Sequence, residues 1–403
     1  MRRSRQLLWA LFISVACVIA IDSFTNRLDI TKYGWDSRFY LKMATEGTHS
    51  RQLVAPFAYR FLTPLLAGFL SDAFGFSIPS AFLIIAYTGA VALLLSIYVL
   101  CREFRFPFRT TVILMLMTAF SFFHVKFLLF DVYRPDHLAL PLLAAGFLAL
   151  IRGNLFWCTV LSVIGLQIRE FLILPPAIFL CQSIRDLEKN PDQKQLWMRV
   201  IGVSIPVAAA VLVPRFFIPV SLSIQKIDPI HDTSTLMGLL SPLFDYKRHM
   251  NFLFCLLGYA LPVILLSTRA RWRRAWESFG NLQRTAVLYT VITLILSFYG
   301  GSDMARFMPY LFVPQVLLIG FLLQRRVEWV EVIYVLMAML IFNRIPFPIP
   351  IWNLERYLDF YGGWDSRVND SSWLRFVELG VYIVPAILLR RRLTGSIRPT
   401  QSR

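Results

Sequence analysis

The chain is 403 residues long, 57 % hydrophobic and only 16 % charged, with a mean hydropathy of +0.60 and a formal net charge of +17. Soluble domains carry about 25 % charged residues, so the composition excludes a soluble enzyme, a disordered chain and a nucleic-acid-binding domain. The apolar residues lie in long runs that match neither a period-two nor an amphipathic pattern, which points to an all-α polytopic membrane protein forming one domain over residues 1–403.

In chain order, about twelve spans (10–13) are predicted at roughly Leu7–Ile21, Pro79–Leu100, Thr110–Phe130, His137–Ile151, Asn154–Ile168, Phe171–Ile184, Met198–Pro219, Met250–Ser267, Arg284–Tyr299, Arg306–Leu323, Glu328–Phe342 and Trp373–Leu389. The fourth to sixth are too short to cross alone if straight. No small-residue cleavage site follows the basic start, so the first run reads as a retained span. With both termini cytoplasmic, the inner segments hold 23 of the 41 Lys and Arg but 7 of the 24 Asp and Glu. The inner face thus carries nearly the whole basic excess, which reports orientation and calls for no nucleic-acid partner. Among these segments, the Arg269–Arg274 run with Trp272 and Trp276 reads as an anchor to anionic headgroups. The inner loops are too short for a catalytic domain. Function is therefore expected on the outer face, whose long loops are about 22–78, 220–249 and 343–372.

The first outer loop reads Gly34-Trp-Asp-Ser-Arg-Phe-Tyr-Leu-Lys-Met-Ala-Thr-Glu-Gly47, then Ala55-Pro-Phe-Ala-Tyr-Arg-Phe-Leu-Thr-Pro-Leu65. Trp35, Phe39, Tyr40, Met43 and Ala44 fall near helical spacing. This predicts an amphipathic helix lying on the membrane, with Asp36 at its start either as a simple cap or as a functional carboxylate. The motif resembles the first outer loop of the C-type integral membrane glycosyltransferases (GT-C), and is closest to the mannosyltransferase-like branch. That branch more often has an aromatic-Pro-Leu-Tyr-Pro run where this chain has Ala-Tyr-Arg-Phe-Leu-Thr-Pro. The resemblance implies a sugar moved from a polyprenyl-phosphate donor to an extracytoplasmic glycan, lipid or protein acceptor. It also implies a multi-pass plasma (inner) membrane location, and gives Asp36 a role either at the acceptor or in holding the site together.

Further outer turns supply charges at costly depths. Asp131, Arg134, Asp136 and His137 lie together in Asp131-Val-Tyr-Arg-Pro-Asp-His137, where the resemblance implies a second acidic site at Asp131 or Asp136. Arg169-Glu170 interrupts two apolar runs, and Lys126 lies inside the third span. Gly301-Ser-Asp-Met-Ala-Arg306 opens the tenth. Sugar transfer needs a base for the acceptor hydroxyl and cations for the departing phosphate. Asp36, Asp131 and Asp136 are the candidates for the first role, and Arg134, Arg169, Arg306 and Arg60 for the second, guanidinium being the better match to phosphate oxygens. His231, Asp232 and His249 read as loop residues. No spacing suits a protein-only transition-metal site, and the expectation for cofactors is none, or a divalent cation shared by Asp36, Asp131 or Asp136 and a substrate phosphate. Two other classes fit a many-span chain: a transporter or flippase, with functional charges near the midplane, and an O-antigen-type polymerase or ligase, with essential outer arginines and a dispensable Asp36.

Overall fold

In the computed structural model, residues 2–29, 36–50, 53–186, 193–220, 236–300, 304–324, 327–350 and 371–395 are described. The described residues form helices and no strands. They are α1 (Arg2–Asp22), α2 (Ser37–Glu46), α3 (Leu62–Phe74), α4 (Ile78–Glu103), α5 (Phe108–Ala119), α6 (Lys126–Phe130), α7 (Asp136–Ile151), α8 (Leu155–Leu166), α9 (Leu174–Asp186), α10 (Gln193–Phe217), α11 (Leu236–Phe244), α12 (Tyr246–Tyr259), α13 (Leu261–Leu266), α14 (Arg269–Ser278), α15 (Gln283–Tyr299), α16 (Met304–Phe307), α17 (Phe312–Leu323), α18 (Trp329–Phe342) and α19 (Ser371–Gly395).

All twelve apolar runs are helical, but four helices are long and apolar enough to cross a membrane: Ser4–Asp22, Ile78–Glu103, Gln193–Phe217 and Gly280–Tyr299. Apart from α19, which has 25 residues, the others are shorter. The 12 residues of α8 reach only about 18 Å, against about 30 Å of hydrocarbon. The run expected as one span from Thr110 to Phe130 is broken after α5. There Phe120 to Val125 turn, and Phe122 and Phe123 pack edge to face at 4.8 Å. That break lets α6 and the Asp131–Arg134 turn fold into the protein.

Local sequence accounts for the helix starts. Ser77 accepts from the Ser80 amide ahead of α4, with Pro79 in the first turn. Asn154 accepts from the Trp157 amide to start α8. Helices α4 and α7 pack closely because Gly89 has no side chain: a Cβ there would lie 2.5 Å from the His137 carbonyl oxygen.

The first outer loop differs from expectation. Helix α2 forms as predicted, and the buried residues of its apolar face, Tyr40 and Met43, pack against protein. Tyr40 packs with Ala67 of α3 and with Ala81, Phe82 and Ile85 of α4, and a Cβ on Gly68 of α3 would meet the Ala44 carbonyl oxygen at 2.6 Å. The reason is α3, whose 13 residues are too few for a span and so read as loop. It supplies the protein surface that α2 covers. Trp35 lies outside the described residues.

Contacts sort the loops to two ends. At one end Arg102 Nη1 reaches Gln6 Oε1 at 3.3 Å, Arg152 Nε reaches Glu103 at 3.1 Å, and the Arg109 guanidinium stacks 3.3 Å above the Trp329 ring. Arg271 and Arg390 both bind Glu331, at 2.9 and 3.4 Å. All of these belong to, or flank, the segments expected inside. At the other end the Leu28 amide donates to the Phe130 carbonyl at 2.8 Å, and the Leu62 amide to that of Gln167 at 3.2 Å.

Candidate functional site

At this second end, α2, the α6–α7 turn, the α8–α9 connection and α16 bring buried charges together. Asp36 precedes α2, yet its side chain makes no capping hydrogen bond. It instead faces two guanidiniums: Arg134 Nη1 lies 3.7 Å and Arg306 Nη1 3.8 Å from its Oδ2. The Asp36 side chain is 33 % exposed, whereas those of Arg134 and Arg306 are 6 % and 11 % exposed.

Asp131 is fully buried between two donors. The next residue of the α2 start, Ser37, donates its hydroxyl to the carboxylate at 2.7 and 2.8 Å, and Arg134 donates its Nε at 2.6 Å. Arg134 therefore bridges Asp131 and Asp36. Among the described residues no group of three or more His, Cys, Asp or Glu side chains is arranged to hold a metal ion.

Asp136 opens α7, with Pro135 at the cap position. Tyr310 donates its hydroxyl to Asp136 Oδ1 at 2.6 Å, and Arg169 Nε lies 3.0 Å from the same oxygen. The Arg169 contact is one of charge, since its Nε–H is not aligned for a hydrogen bond. Arg169 is 1 % exposed, at a backbone in extended conformation between α8 and a short 3₁₀ turn at Glu170–Ile173. Such a group is tolerated only where it is paired. Phe307 joins the two halves, because the guanidiniums of Arg169 and Arg306 each lie 5.5 Å from its ring centre. Phe171 stacks on Phe307 at 5.5 Å and on Tyr310 at 4.1 Å.

The environments push the two buried aspartates apart. Burial raises the Asp131 carboxyl above the usual carboxylate range, against the pull of Arg134 and Ser37. Burial acts the same way on Asp136, but Arg169, the Tyr310 hydroxyl and Arg134 outweigh it and hold Asp136 below that range. Divergence of this kind between neighbouring carboxylates is common at sites that handle protons.

Asp36, Asp131, Asp136, Arg134, Arg169 and Arg306 thus form one network. Arg60 stands at its edge. Its Nε donates to Glu170 at 2.9 Å and its Nη1 to the Tyr40 hydroxyl at 3.2 Å, so it props α2 against the 3₁₀ turn that follows Arg169 and, among the described residues, forms no hydrogen bond or ion pair with Asp36. Lys126 plays a different part. Its ammonium donates to the carbonyls of Arg344 (2.8 Å), Ile345 (2.7 Å) and Phe347 and ties down the turn after α18. His137 is buried against α4. A separate small cavity lined by Thr118, Ser121, His124, Tyr259 and Gln315 lies away from the ionic network.

Sequence reasoning missed Ser37, Tyr310, Phe307 and Tyr40. Only Tyr310 left a signal, four residues after Arg306 and hence on about the same helical face. Asp303, His231 and Asp232 lie outside the described residues; His249 bonds locally to the Asp245 carbonyl. Compared with protein-family models, curated proteins and solved structures, the chain finds no match.

Proposed function

We propose that this protein is an integral membrane glycosyltransferase of the GT-C type, with about twelve membrane passages and its site on the extracytoplasmic face of the plasma (inner) membrane. It takes a sugar from a polyprenyl-phosphate donor and passes it to a glycan, lipid or protein acceptor. The observation that carries this reading is the meeting, at the end opposite the basic loops, of a partly exposed carboxylate, Asp36, with two largely buried guanidiniums, Arg134 held by the buried Asp131 and Arg306 beside the Phe307 ring.

In a direct displacement, the Asp36 carboxylate takes the proton of the acceptor hydroxyl. That oxygen forms a bond to the anomeric carbon, and the carbon–oxygen bond to phosphate breaks. Its electron pair leaves on the polyprenyl phosphate, whose growing charge Arg134 and Arg306 stabilise. Asp131 and Asp136 do not face the acceptor in this scheme. They are positioning residues that hold Arg134 and Arg169. Both charge signs gather at one end and not along mid-bundle helices, which supports an enzyme over an alternating-access transporter.

The test is Asp36→Asn in protein inserted at wild-type level, assayed as polyprenyl phosphate released from a panel of polyprenyl-phosphate sugars. The expected loss is about 10²–10⁴-fold, the usual contribution of a general base. Full activity in this variant removes Asp36 from the mechanism. If outer arginine variants are then inactive, the polymerase or ligase reading takes its place.

A further inference from the structure

The contacts around Asp36 are uneven in a way that bears on ligand binding. Arg134 meets Asp131 at 2.6 Å but Asp36 only at 3.7 Å, and Arg306 meets Asp36 at 3.8 Å. Charge-assisted hydrogen bonds close to about 2.7–2.9 Å. Both arginines are also fixed from elsewhere, Arg134 by Asp131 and Arg306 over the Phe307 ring that Arg169 shares. Asp36, with no capping bond and a third of its side chain exposed, is the loosely held member between two anchored cations. Both guanidiniums approach one oxygen, Oδ2, at 3.7 and 3.8 Å. A phosphate, with oxygens spread around phosphorus, fits two planar guanidiniums better than a carboxylate does.

We infer that Asp36 is a placeholder: it occupies the position that a lipid-linked phosphate, the donor's diester before transfer and the monoester after it, takes between Arg134 and Arg306, and it yields that position when the anion binds. Anion binding and release of the carboxylate are then one event. The inference rests on the transferase reading only for the source of the phosphate, a lipid-linked one.

The experiment measures binding of a short-chain polyprenyl monophosphate to the full-length protein in detergent, with inorganic phosphate and the matching polyprenol as separate arms. Asp36→Asn removes the competing charge at nearly constant shape. It is expected to bind the lipid phosphate about fivefold or more tightly than wild type, from the usual strength of a partly exposed ion pair. Arg306→Gln is expected to bind it at least about tenfold more weakly. Arg134 is also the partner of buried Asp131, so Arg306 is the variant that reports on the clamp. Binding of the polyprenol should be the same in all three proteins. Unchanged or weaker lipid-phosphate binding in Asp36→Asn overturns the placeholder, whatever that variant does to catalysis. Tightening confined to inorganic phosphate overturns the lipid source. Full transferase activity in Asp36→Asn overturns the proposed mechanism and leaves the binding result to stand or fall alone.

Discussion

The two ends of the bundle carry similar residue types and treat them in opposite ways. At the basic end Arg271 and Arg390 close on the buried Glu331 with 14 % of each arginine side chain exposed, but other arginines project outward: Arg273 is 80 % exposed, and its partner Glu277 is 63 % exposed. Arg152 meets Glu103 with 55 % and 30 % of those side chains exposed. Pairs of this kind contribute about 0–1 kcal/mol. At the other end Arg169 and Asp136 are 1 % and 5 % exposed, and Arg134 and Asp131 are 6 % and 0 % exposed. Burying such pairs costs solvation that apolar residues would not incur. Orientation in a membrane requires only exposed positive charge on one side. The second end accepts a cost that topology alone does not demand, which is why a chemical role is assigned to it.

The sharpest way to break this comparison is to remove one member of a buried pair. Arg169→Ala removes the nearest cation from the buried Asp136 carboxylate, leaving the Tyr310 hydroxyl and the more distant Arg134 and Arg60, and is expected to destabilise the protein by about 3–5 kcal/mol. Thermal unfolding in detergent measures this. The double variant Asp136→Leu with Arg169→Met should recover most of the loss, since an apolar pair of similar volume replaces the ions, while transfer stays abolished. Failure of the double variant to recover would mean that the network is needed for folding in its own right.

A smaller effect is expected from Tyr310→Phe, which removes one hydrogen bond to a buried carboxylate and should cost about 1.5–3 kcal/mol. Acid sharpens the same point. The folded-state pKa of Asp136 is lowered, so its stabilisation is present above the unfolded value of about 3.9 and is lost as pH falls through the lower folded value. Asp131 is raised, so its contribution runs the other way: it is complete below that unfolded value and is lost as pH rises through the folded one. Melting temperatures taken downward from pH 5 should fall, and Asp136→Asn should flatten that fall while lowering the plateau. Arg152→Gln, at the basic end, should leave its shape unchanged.

The charged members of the site were legible in the sequence because charges at the edges of apolar runs stand out. Asp36, Arg134, Arg169 and Arg306 all announce themselves in this way. Their geometry was not legible, since it depends on contacts distant in sequence, such as Ser37 to Asp131 and Tyr310 to Asp136. The same holds for Lys126. Inside an expected span it resembles a functional charge, but its three acceptors lie more than two hundred residues later, where the turn after α18 leaves carbonyls without helical partners. Helix α3 was hidden for a different reason. A run of 13 residues is too short for a crossing, and a 20-residue criterion cannot see a helix that buries itself against protein.

The smallest expected effect completes the comparison. Arg273→Gln on α14 removes one of four arginines in Arg269–Ser278, where only Ala275 is buried. Its pairing with Glu277 is 3.6 Å long and exposed, so neither melting temperature nor transfer in zwitterionic detergent should change measurably. What should change is the dependence on anionic lipid. If α14 anchors the basic end to headgroups, the stabilisation gained when anionic lipid is added should shrink for Arg273→Gln and further for Arg273→Gln with Arg274→Gln, and high salt should remove the difference. A melting shift that ignores lipid charge would place α14 among the internal contacts of the fold and erase the distinction between the two ends.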